Sequence, residues 1–561
     1  MNLRFDRYYD NHALQTQLER IGADHPGIVS LGTLGRSFEG RDIPLITVTN
    51  QSTGPDLDKP GFWIDANIHA TEVTGTMAAL YILNALVTRY GHDPIVTRVI
   101  DEQVVYIAPR LNPDGAALAL HEQPRFLRSG TRPYPYADRQ DGLHAEDVDG
   151  DGRILQMRIE DPAGDWKVSE RDPRLMVKRL PHDEGATYYR VLPEGRIENF
   201  DGHIIRIAPP HQGLDFNRNF PSGWRPEGEQ TGAGDYPGSE VEIRAVLDFM
   251  ATHPNVFGAL TLHTYSRAIL RPFSDRPDTE MDTNDLWVYQ AIGDRGTEIT
   301  GYPNVSVYHD FRYHPKEVIS GAFDDWMYSH NGILAFTVEL WDLPTAAGVE
   351  HKNRDKKFID WMRKHPIEDD YQILDFVLAQ APESLVTWQP FEHPELGHVE
   401  IGGWNHLYSW RNPPPALLEA EIAPQADFAI GFVALAPRLA WRAVEIASLG
   451  DDVYHVRAVV ENAGFLSTSG TQRARTVKAA RPVRVAITLP EGASLRSGTP
   501  VVEIGHLEGR ANKLGVTFGS SPTDNRGKAE WLVHAPGGGT VRLAGSAPRA
   551  GTIRYGAALE G

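Results

Sequence analysis

Residues 62–87 have the sequence FWIDANIHATEVTGTMAALYILNALV. The apolar run Phe62–Ala66 predicts a buried strand, and the apolar positions within 73–87 recur at the spacing of an amphipathic helix. A strand, a turn and a helix in this order form the repeating unit of an α/β sheet. The turn between them contains His69 and Glu72, and both side chains are of types that bind metal ions.

The first two-thirds of the chain repeats this alternation of short apolar runs and amphipathic stretches. Further buried strands are predicted at Val104–Ala108, Ala259–Leu262 and Leu334–Val338. We therefore expect residues 1–412 to form an α/β domain in which helices flank a β-sheet. Between about residues 132 and 211 the sequence is rich in Pro, Gly and Asp, which predicts a long surface insertion in this domain.

The C-terminal quarter has a different pattern. A helix-breaking run, Pro413–Pro415, precedes apolar positions at helical spacing, so residues 413–436 predict a helical linker. From residue 437 to residue 561, alternating runs such as Val453–Val460 are separated by Gly, Ser and Asn clusters. This pattern predicts an all-β sandwich as a separate accessory domain.

Composition excludes several functional classes. The chain has 561 residues and a formal net charge of -20, which argues against nucleic acid or anionic membrane as a partner. It contains no cysteine, so disulfides, thiolate metal sites and a cysteine nucleophile are excluded. Met1–Asp10 has charged residues where a signal peptide is apolar, and no window reaches the ~18 apolar residues of a membrane span. We expect a cytoplasmic protein, and the sequence does not indicate its oligomeric state.

A metal site is predicted in the turn after the first strand. The pattern His-x-x-Glu occurs three times, at His69, His314 and His365, but only His69 lies between a strand and an amphipathic helix. The carboxyl end of a strand is where α/β sheets place ligands. Zinc needs a third protein ligand beside an imidazole and a carboxylate, and His263, which ends a strand of its own, is the best candidate.

Five fragments in order carry a resemblance to a known family. They are His69-Ala-Thr-Glu72, Asn112-Pro-Asp-Gly115, Asp215-Phe-Asn-Arg-Asn219, Leu262-His-Thr-Tyr265 and Phe336-Thr-Val-Glu339. Over residues 50–345 the chain resembles the zinc metallocarboxypeptidases of the carboxypeptidase A and B type. The resemblance implies a mixed β-sheet flanked by helices, with His69, Glu72 and His263 as zinc ligands. It also implies that Asp215 orients the first ligand histidine.

The same resemblance assigns the remaining catalytic roles. Glu339 falls at the position of the general base, and Arg128 at that of the arginine that stabilises the oxyanion, although Arg125 and Arg132 lie near it. Asn217 and Arg218 fall at the positions that bind the terminal carboxylate of a peptide.

The predicted side-chain pocket departs from the family in one residue and adds a charge in another. The tyrosine that family members carry before the pocket segment 320–326 is missing; Glu317 stands there, with Tyr313 the nearest upstream candidate. Asp324 falls where family members specific for basic residues have an acid at the pocket floor. This position predicts a preference for C-terminal Lys or Arg.

An acidic loop within the insertion predicts a second cation site. Asp147, Asp149 and Asp151 alternate and are followed by Gly152, which matches the first half of a calcium loop. Arg158 stands where an EF-hand has its bidentate glutamate, so the alternative is a solvated acidic turn.

The sequence thus favours a zinc-dependent carboxypeptidase acting on peptides. One alternative is a zinc amide hydrolase of the same superfamily acting on cell-wall peptides or N-acyl amino acids. Another is a non-catalytic binding protein built on a degenerate peptidase domain.

Overall fold

The computed structural model describes residues 3–312, 316–349, 361–362, 364–511 and 522–559. Its helices are α1 Asn11–Asp24, α2 Thr74–Arg89, α3 Pro94–Glu102, α4 Pro113–Ala119, α5 Val241–Thr252, α6 Thr283–Thr300, α7 Val307–Asp310, α8 Phe323–Asn331, α9 Leu343–Ala346, α10 Ile367–Gln380, α11 Pro415–Val433 and α12 Gln472–Thr476. In the described residues, no helix has the length and apolar character needed to cross a membrane.

The strands are β1 Val29–Arg36, β2 Asp42–Val48, β3 Gly61–Ala66, β4 Val104–Ala108, β5 Gly142–Ala145, β6 Gln156–Glu160, β7 Trp166–Val168, β8 Met176–Lys178, β9 Tyr189–Pro193, β10 Gly195–Glu198, β11 Val256–Thr264, β12 Ala268–Arg271, β13 Asn304–Ser306, β14 Leu334–Leu340, β15 Leu385–His393, β16 Gly397–Trp404, β17 Leu439–Gly450, β18 Val453–Asn462, β19 Val483–Thr488, β20 Ser494–Ser497, β21 Val501–Gly505, β22 Arg526–His534, β23 Gly539–Ala547 and β24 Gly551–Leu559.

An eight-stranded mixed sheet is the centre of the larger part of the molecule, as expected. Its strand order is β1-β2-β4-β3-β11-β14-β12-β13. The four central strands, β4, β3, β11 and β14, run parallel to one another and every residue in them is buried. Strands covered on both faces need apolar side chains throughout, which explains the continuous apolar runs in the sequence. Their shared carboxyl ends form the edge at which the predicted metal ligands meet.

Helices pack on both faces of this sheet. One face is covered by α1, α2, α3, α6 and α11, whose apolar side chains share a core with the strands. Leu418, Ile422, Phe428 and Phe432 of α11 belong to this core. The segment predicted as a linker therefore contributes a core helix, because its apolar stripe is buried against the sheet domain. The opposite face is covered by α5 and α8.

The predicted insertion forms strands of its own. Strands β6 to β9 join β15 and β16 in a six-stranded sheet of order β15-β16-β6-β9-β7-β8. The sequence between residues 132 and 211 did not predict this sheet, because two of its strands, β15 and β16, and part of its apolar core come from more than 200 residues further along the chain. The sheet packs beside the main domain.

The C-terminal part is an all-β sandwich, as expected. Two four-stranded antiparallel sheets, β17-β18-β22-β20 and β21-β19-β23-β24, face each other across one apolar core. Val456 and Trp531 from the first sheet and Val485 and Leu543 from the second belong to that core. The boundaries at residues 412 and 437 stay a proposal, since α11 lies between them and packs into the main core.

Candidate metal centre and substrate cavity

His69 and Glu72 lie in the loop between β3 and α2, where the sequence placed them. The side chain of Asn67, fully buried at 0% exposure, donates to the carbonyl of His69 at 2.7 Å. The amide of Ala70 donates to the carbonyl of Arg128 at 2.9 Å. These bonds satisfy the polar groups of a buried, non-helical loop and fix the direction of both side chains.

The third predicted ligand, His263, lies at the end of β11. Its register partner on the parallel neighbour β14 is Glu339. Residues paired in this way project to the same face of a sheet, so the candidate ligand and the candidate base lie side by side.

Three ligand atoms converge at a spacing that fits zinc. Nδ1 of His69 lies 2.9 Å from Oε1 of Glu72 and 3.1 Å from Nδ1 of His263, which lies 3.1 Å from Oε2 of Glu72. All three residues are buried. Zinc binds imidazole nitrogen and carboxylate oxygen at about 2.0–2.2 Å, and donor atoms about 3 Å apart can surround such an ion. This set of donors therefore fits a zinc ion with a position left open.

Asp215 contacts both the candidate ligand His69 and Arg128. Its Oδ1 lies 3.1 Å from Nε2 of His69, and its Oδ2 accepts from Nε of Arg128 at 2.9 Å. Burial opposes ionisation of Asp215, but the charges of Arg128, Arg218 and His69 outweigh it and hold the pKa of Asp215 well below its ordinary value. A carboxylate on the far nitrogen fixes the ring orientation and makes a histidine a stronger metal ligand.

Arg128 is the arginine that the fold brings to the candidate metal ligands. It donates to Oε1 of Glu72 at 3.1 Å, and its side chain is 35% exposed. The two alternatives near it are engaged elsewhere: Arg132 pairs with Glu240 at 2.7 Å, and Arg125 is exposed. The structure therefore separates Arg128, which contacts Glu72, from Arg125 and Arg132, which lie near it in the sequence.

Asn217 and Arg218 lie in a 3-10 turn, Phe216–Arg218, beside the metal ligands. The amide oxygen of Asn217 accepts from the main chain of Phe323 at 2.8 Å, and Arg218 donates to the carbonyl of Asn217 at 2.7 Å. Both are buried. These bonds fix the two side chains at the wall of a cavity.

That cavity brings most of the predicted site residues together. It is lined by His69, Arg128, Asn217, Arg218, His263, Leu270, Ser274, Val307, Phe311, Ile319, Ala322, Asp324, Thr337 and Glu339. The lining combines apolar side chains with two cationic groups, Arg128 and Arg218, and two acidic groups, Asp324 and Glu339. A ligand with one apolar stem and several charged groups would fit such a lining.

Glu339 and Asp324 are the two acidic groups of this lining besides the metal ligands. Glu339 is 8% exposed, and its Oε2 has no hydrogen-bond partner among the described residues. Burial raises the pKa of Glu339 to about 7, against the opposing charge of His263. Burial also raises the pKa of Asp324, which is 3% exposed and next to the buried Asp325. Glu317 is exposed and does not line the cavity, while Tyr313 lies outside the described residues.

Two residues that the sequence did not indicate lie beside the metal loop. Arg411 stacks 5.0 Å above the ring of Tyr265, and its guanidinium lies 3.7 Å from Oε1 of Glu72. The side chain of the next residue, Asn412, is fully buried, donates to the carbonyl of Thr71 at 2.8 Å and accepts from the amide of Thr74 at 3.0 Å. Asn412 therefore spans the loop that contains Glu72. Neither residue could be recognised from the sequence around it, because both are more than 330 residues away from the loop that they contact.

Glu421, on α11, accepts hydrogen bonds from residues that shortly follow the site residues Glu339 and His263. It accepts from the amide of Trp341 at 2.9 Å and from Nε of Arg267 at 3.2 Å. Both donors have positive φ, 63° and 46°. Trp341 lies two residues after Glu339 and Arg267 four after His263, so one buried carboxylate restrains both strand ends.

The acidic loop also brings its three carboxylates together. Asp147, Asp149 and Asp151 each offer an oxygen within 4.8 Å of the others. These groups are, however, already bonded within the loop: Asp147 accepts from the amides of Gly150 and Gly152, and Arg153 pairs with Asp151. Calcium binding there stays a prediction.

The other His-x-x-Glu patterns do not form a second centre in the described residues. His365 bonds to the carbonyl of Trp361 and to Asp370, both at 3.0 Å. His314 lies outside the described residues.

Known proteins match the part of the chain that carries this site. The zinc carboxypeptidase family matches residues 14–357, and a domain of unknown function matches residues 438–556. Carboxypeptidase A2 of Rattus norvegicus is 25% identical over 348 residues, and carboxypeptidase A4 of Mus musculus is 24% identical over 353 residues. Each alignment covers 61% of this chain and 64% of the relative. The chain therefore spans less than two-thirds of the length of these relatives.

Solved structures superpose on the chain only in part. Thrombin-activatable fibrinolysis inhibitor aligns with a TM-score of 0.39 and 19% identity, over 60% of this chain and 67% of that chain. Carboxypeptidase A from Helicoverpa armigera aligns with a TM-score of 0.39 and 18% identity, over 68% of this chain and 76% of that chain. Superpositions of this extent add no functional information.

Proposed function

The chain belongs to the zinc carboxypeptidase family, and on that premise we propose that it is a zinc-dependent carboxypeptidase that removes the C-terminal residue of peptides. One observation carries the proposal: a single cavity is lined by the metal ligands His69 and His263, by the buried carboxylate of Glu339 and by Arg218. A peptide end in this cavity would meet a metal, a base and a cation at once.

His69, Glu72 and His263 would hold the zinc ion. Bound there, zinc would supply Lewis-acid chemistry, polarising the scissile carbonyl and making a water molecule more acidic. The chain's own contribution is to present two imidazoles and one carboxylate in fixed positions. Asp215 keeps His69 in orientation through Nε2.

Glu339 would act as the general base. Its carboxylate would take a proton from the attacking water as the new carbon–oxygen bond forms. The same proton would then pass to the leaving amine when the carbon–nitrogen bond breaks, which returns Glu339 to its ionised state. An oxygen buried without a hydrogen-bond partner is poised for such an exchange, because no existing bond has to be broken first.

Arg218 and Asn217 would bind the terminal carboxylate of the substrate. The planar guanidinium suits a bidentate grip on a carboxylate. Arg128 would contribute its positive charge to the oxygen that gains charge during attack, since it lies beside Glu72 and lines the same cavity. Binding at the chain end is what would make the enzyme an exopeptidase.

Asp324 would select basic C-terminal residues. Leu270, Val307 and Ile319 line the cavity and suit the stem of a long side chain, and Asp324 is a buried acid in the same lining. An ammonium or guanidinium group would neutralise this carboxylate, whereas an uncharged side chain would leave it buried without a cation.

A peptide library with mass-spectrometric detection tests this proposal. We expect loss of single C-terminal residues, complete inhibition by a chelator and recovery with added zinc. Release of internal fragments, or cleavage unaffected by the chelator, would refute it. The convergence of His69, Glu72, His263 and Glu339 in one site argues against a non-catalytic binding protein. A cytoplasmic location stays a prediction.

A further inference from the structure

The C-terminal sandwich reaches the sheet domain through a buried arginine. Arg549, in the turn between β23 and β24, is 3% exposed. It donates to the carbonyl of Gly332 at 2.8 Å and to the carbonyl of Ser469 at 2.7 Å, and also to the carbonyl of Asn331. Among the described residues no carboxylate pairs with it. A buried cation held only by carbonyl oxygens is expensive to bury, so its position is a constrained feature of the interface.

Other sandwich residues bind the same short stretch of the sheet domain. Thr471 donates to the carbonyl of Gly332 at 2.7 Å, and Arg473 donates to the carbonyl of Ser329 at 2.9 Å. Three donors from two separate sandwich segments thus converge on the last turn of α8 and the residue after it.

Asp285 of the sheet domain contributes a side-chain acceptor to the same interface. Its carboxylate accepts from the amides of Gln472 and Arg473 at 2.8 and 2.9 Å, and from the hydroxyl of Tyr328 on α8 at 2.9 Å. One buried carboxylate therefore ties α8 to the first turn of the sandwich helix α12.

The two main chains approach each other closely at this point. Gly332 has a φ of 58°, and a Cβ atom built there would lie 2.4 Å from the backbone of Ala474. Only glycine allows both this conformation and this approach. The contact is therefore a fitted interface between backbones.

The helix held in this way is the helix that carries the specificity pocket. Asp324, in the first turn of α8, lines the substrate cavity, and Ser329 and Asn331, in the last turn, meet the sandwich. A helix of 9 residues is about 14 Å long and transmits displacement from end to end because its backbone bonds are continuous. Cations at its carboxyl end also interact favourably with the helix dipole.

We propose that the sandwich is a brace for the substrate pocket, and that Arg549 is a positioning residue that fixes Asp324 through α8. This inference rests on the proposed function, since Asp324 matters only if the cavity binds a C-terminal side chain. It assigns a role to the domain of unknown function at residues 438–556. The role is to hold the pocket in shape, without any contact between sandwich and substrate.

The test uses Arg549→Met in the full-length, zinc-loaded protein, with Arg484→Met as the matched control. Arg484 lies in the same sandwich and pairs with Glu503 on the surface. Hydrogen exchange should be about tenfold faster at residues 323–331 in Arg549→Met only, since loss of the cap loosens the end of the helix. For a peptide ending in Lys, KM should rise about tenfold, while kcat and the zinc content change little. A peptide ending in Leu should be affected less.

Unchanged exchange at residues 323–331 in a folded Arg549→Met protein would overturn the proposal, and so would equal losses for both peptides. Should Arg549→Met not fold, Thr471→Val removes the hydrogen bond to Gly332 together with the bond that the same hydroxyl accepts from the amide of Ala474. It should shift exchange and KM in the same direction by a smaller factor, because the bonds of Arg549 remain. Hydrogen exchange is measured without substrate, so it tests whether Arg549 holds α8 even if the protein hydrolyses no peptide. An inactive wild-type protein would instead refute the proposed function.

Discussion

His263 and Glu339 are register partners on the neighbouring parallel strands β11 and β14. The candidate ligand and the candidate base are therefore held at a separation that the strand spacing sets, about 4.8 Å between backbones. Every residue of both strands is buried. The sheet itself positions the two groups, and the loops around them supply the remaining ligands and the substrate contacts.

Loss of the Asp215 carboxylate should weaken zinc binding. In Asp215→Asn the oxygen that faces Nε2 of His69 becomes part of a neutral amide, which is a poorer acceptor for the ring N–H. We expect zinc affinity to fall about 10- to 100-fold. Competition with a chelating dye measures this, with Asp235→Asn, an exposed site, as the control. Equal affinities in the two variants would show that Asp215 does not support the ligand.

Removal of the Asn412 side chain should also weaken zinc binding, although this residue contacts no ligand atom. Asn412→Ala deletes the bonds that restrain Thr71 and Thr74 on either side of Glu72. We expect about a tenfold loss of zinc affinity by the same dye competition, since such indirect supports are worth this much. Asn284→Ala, in the first turn of α6, is the control. Retention of full affinity would mean that the loop keeps its shape without this clamp.

The charge at Asp324 should decide between substrates. Asp324→Asn keeps the shape of the cavity wall but removes the negative charge, so kcat/KM for peptides ending in Lys or Arg should fall about 100-fold. Peptides ending in Leu should be cleaved as well as before, or better. Steady-state kinetics on the two peptides measures the ratio, and Glu317→Gln serves as the surface control. A parallel loss for both peptides would contradict selection by charge.

Stability should fall with rising pH because of Glu242. This residue is 1% exposed, and its burial, with a contribution from the charge of Asp114, raises its pKa to about 7 from an ordinary value of 4.5. Between these values the folded protein keeps a proton that the unfolded chain has released, so the free energy of unfolding decreases as the pH rises through this window. Glu242→Gln cannot ionise at this position. Between pH 5 and pH 8 its free energy of unfolding should therefore rise by about 1–3 kcal/mol relative to that of the wild type.

Urea unfolding at the two pH values checks this prediction. The control is Glu419→Gln on the exposed face of α11. If wild type and Glu242→Gln lose stability in parallel, Glu242 does not titrate within this window.

The sequence was sufficient for the parts of the site that lie on local patterns. Strand β4 was predicted at its observed bounds, and the turn with the candidate ligands His69 and Glu72 was chosen because it lies between a predicted strand and a predicted helix. His263 was chosen as a candidate because it ends a predicted strand, and Glu339, near the end of another apolar strand, was assigned as the base through the resemblance to the zinc metallocarboxypeptidases.

The parts that were missed depend on distant segments. Arg411, Asn412 and Glu421 act through contacts with residues 80 to more than 300 positions away, and no local pattern marks them. The interface at Arg549 is of the same kind, because its acceptors are main-chain carbonyls that any sequence provides. The six-stranded sheet was missed because two of its strands, β15 and β16, are far along the chain from the other four.

Release of the C-terminal residue by zinc-loaded Glu339→Gln, compared with zinc-loaded wild type, tests the central claim most directly. The substitution removes the base and leaves His69, Glu72 and His263 in place, so zinc content, measured by atomic emission, should be unchanged. The rate should fall by at least about 10²-fold, in the range that a positioned base contributes. Hydrolysis at the wild-type rate by a Glu339→Gln protein that retains its zinc would contradict the account.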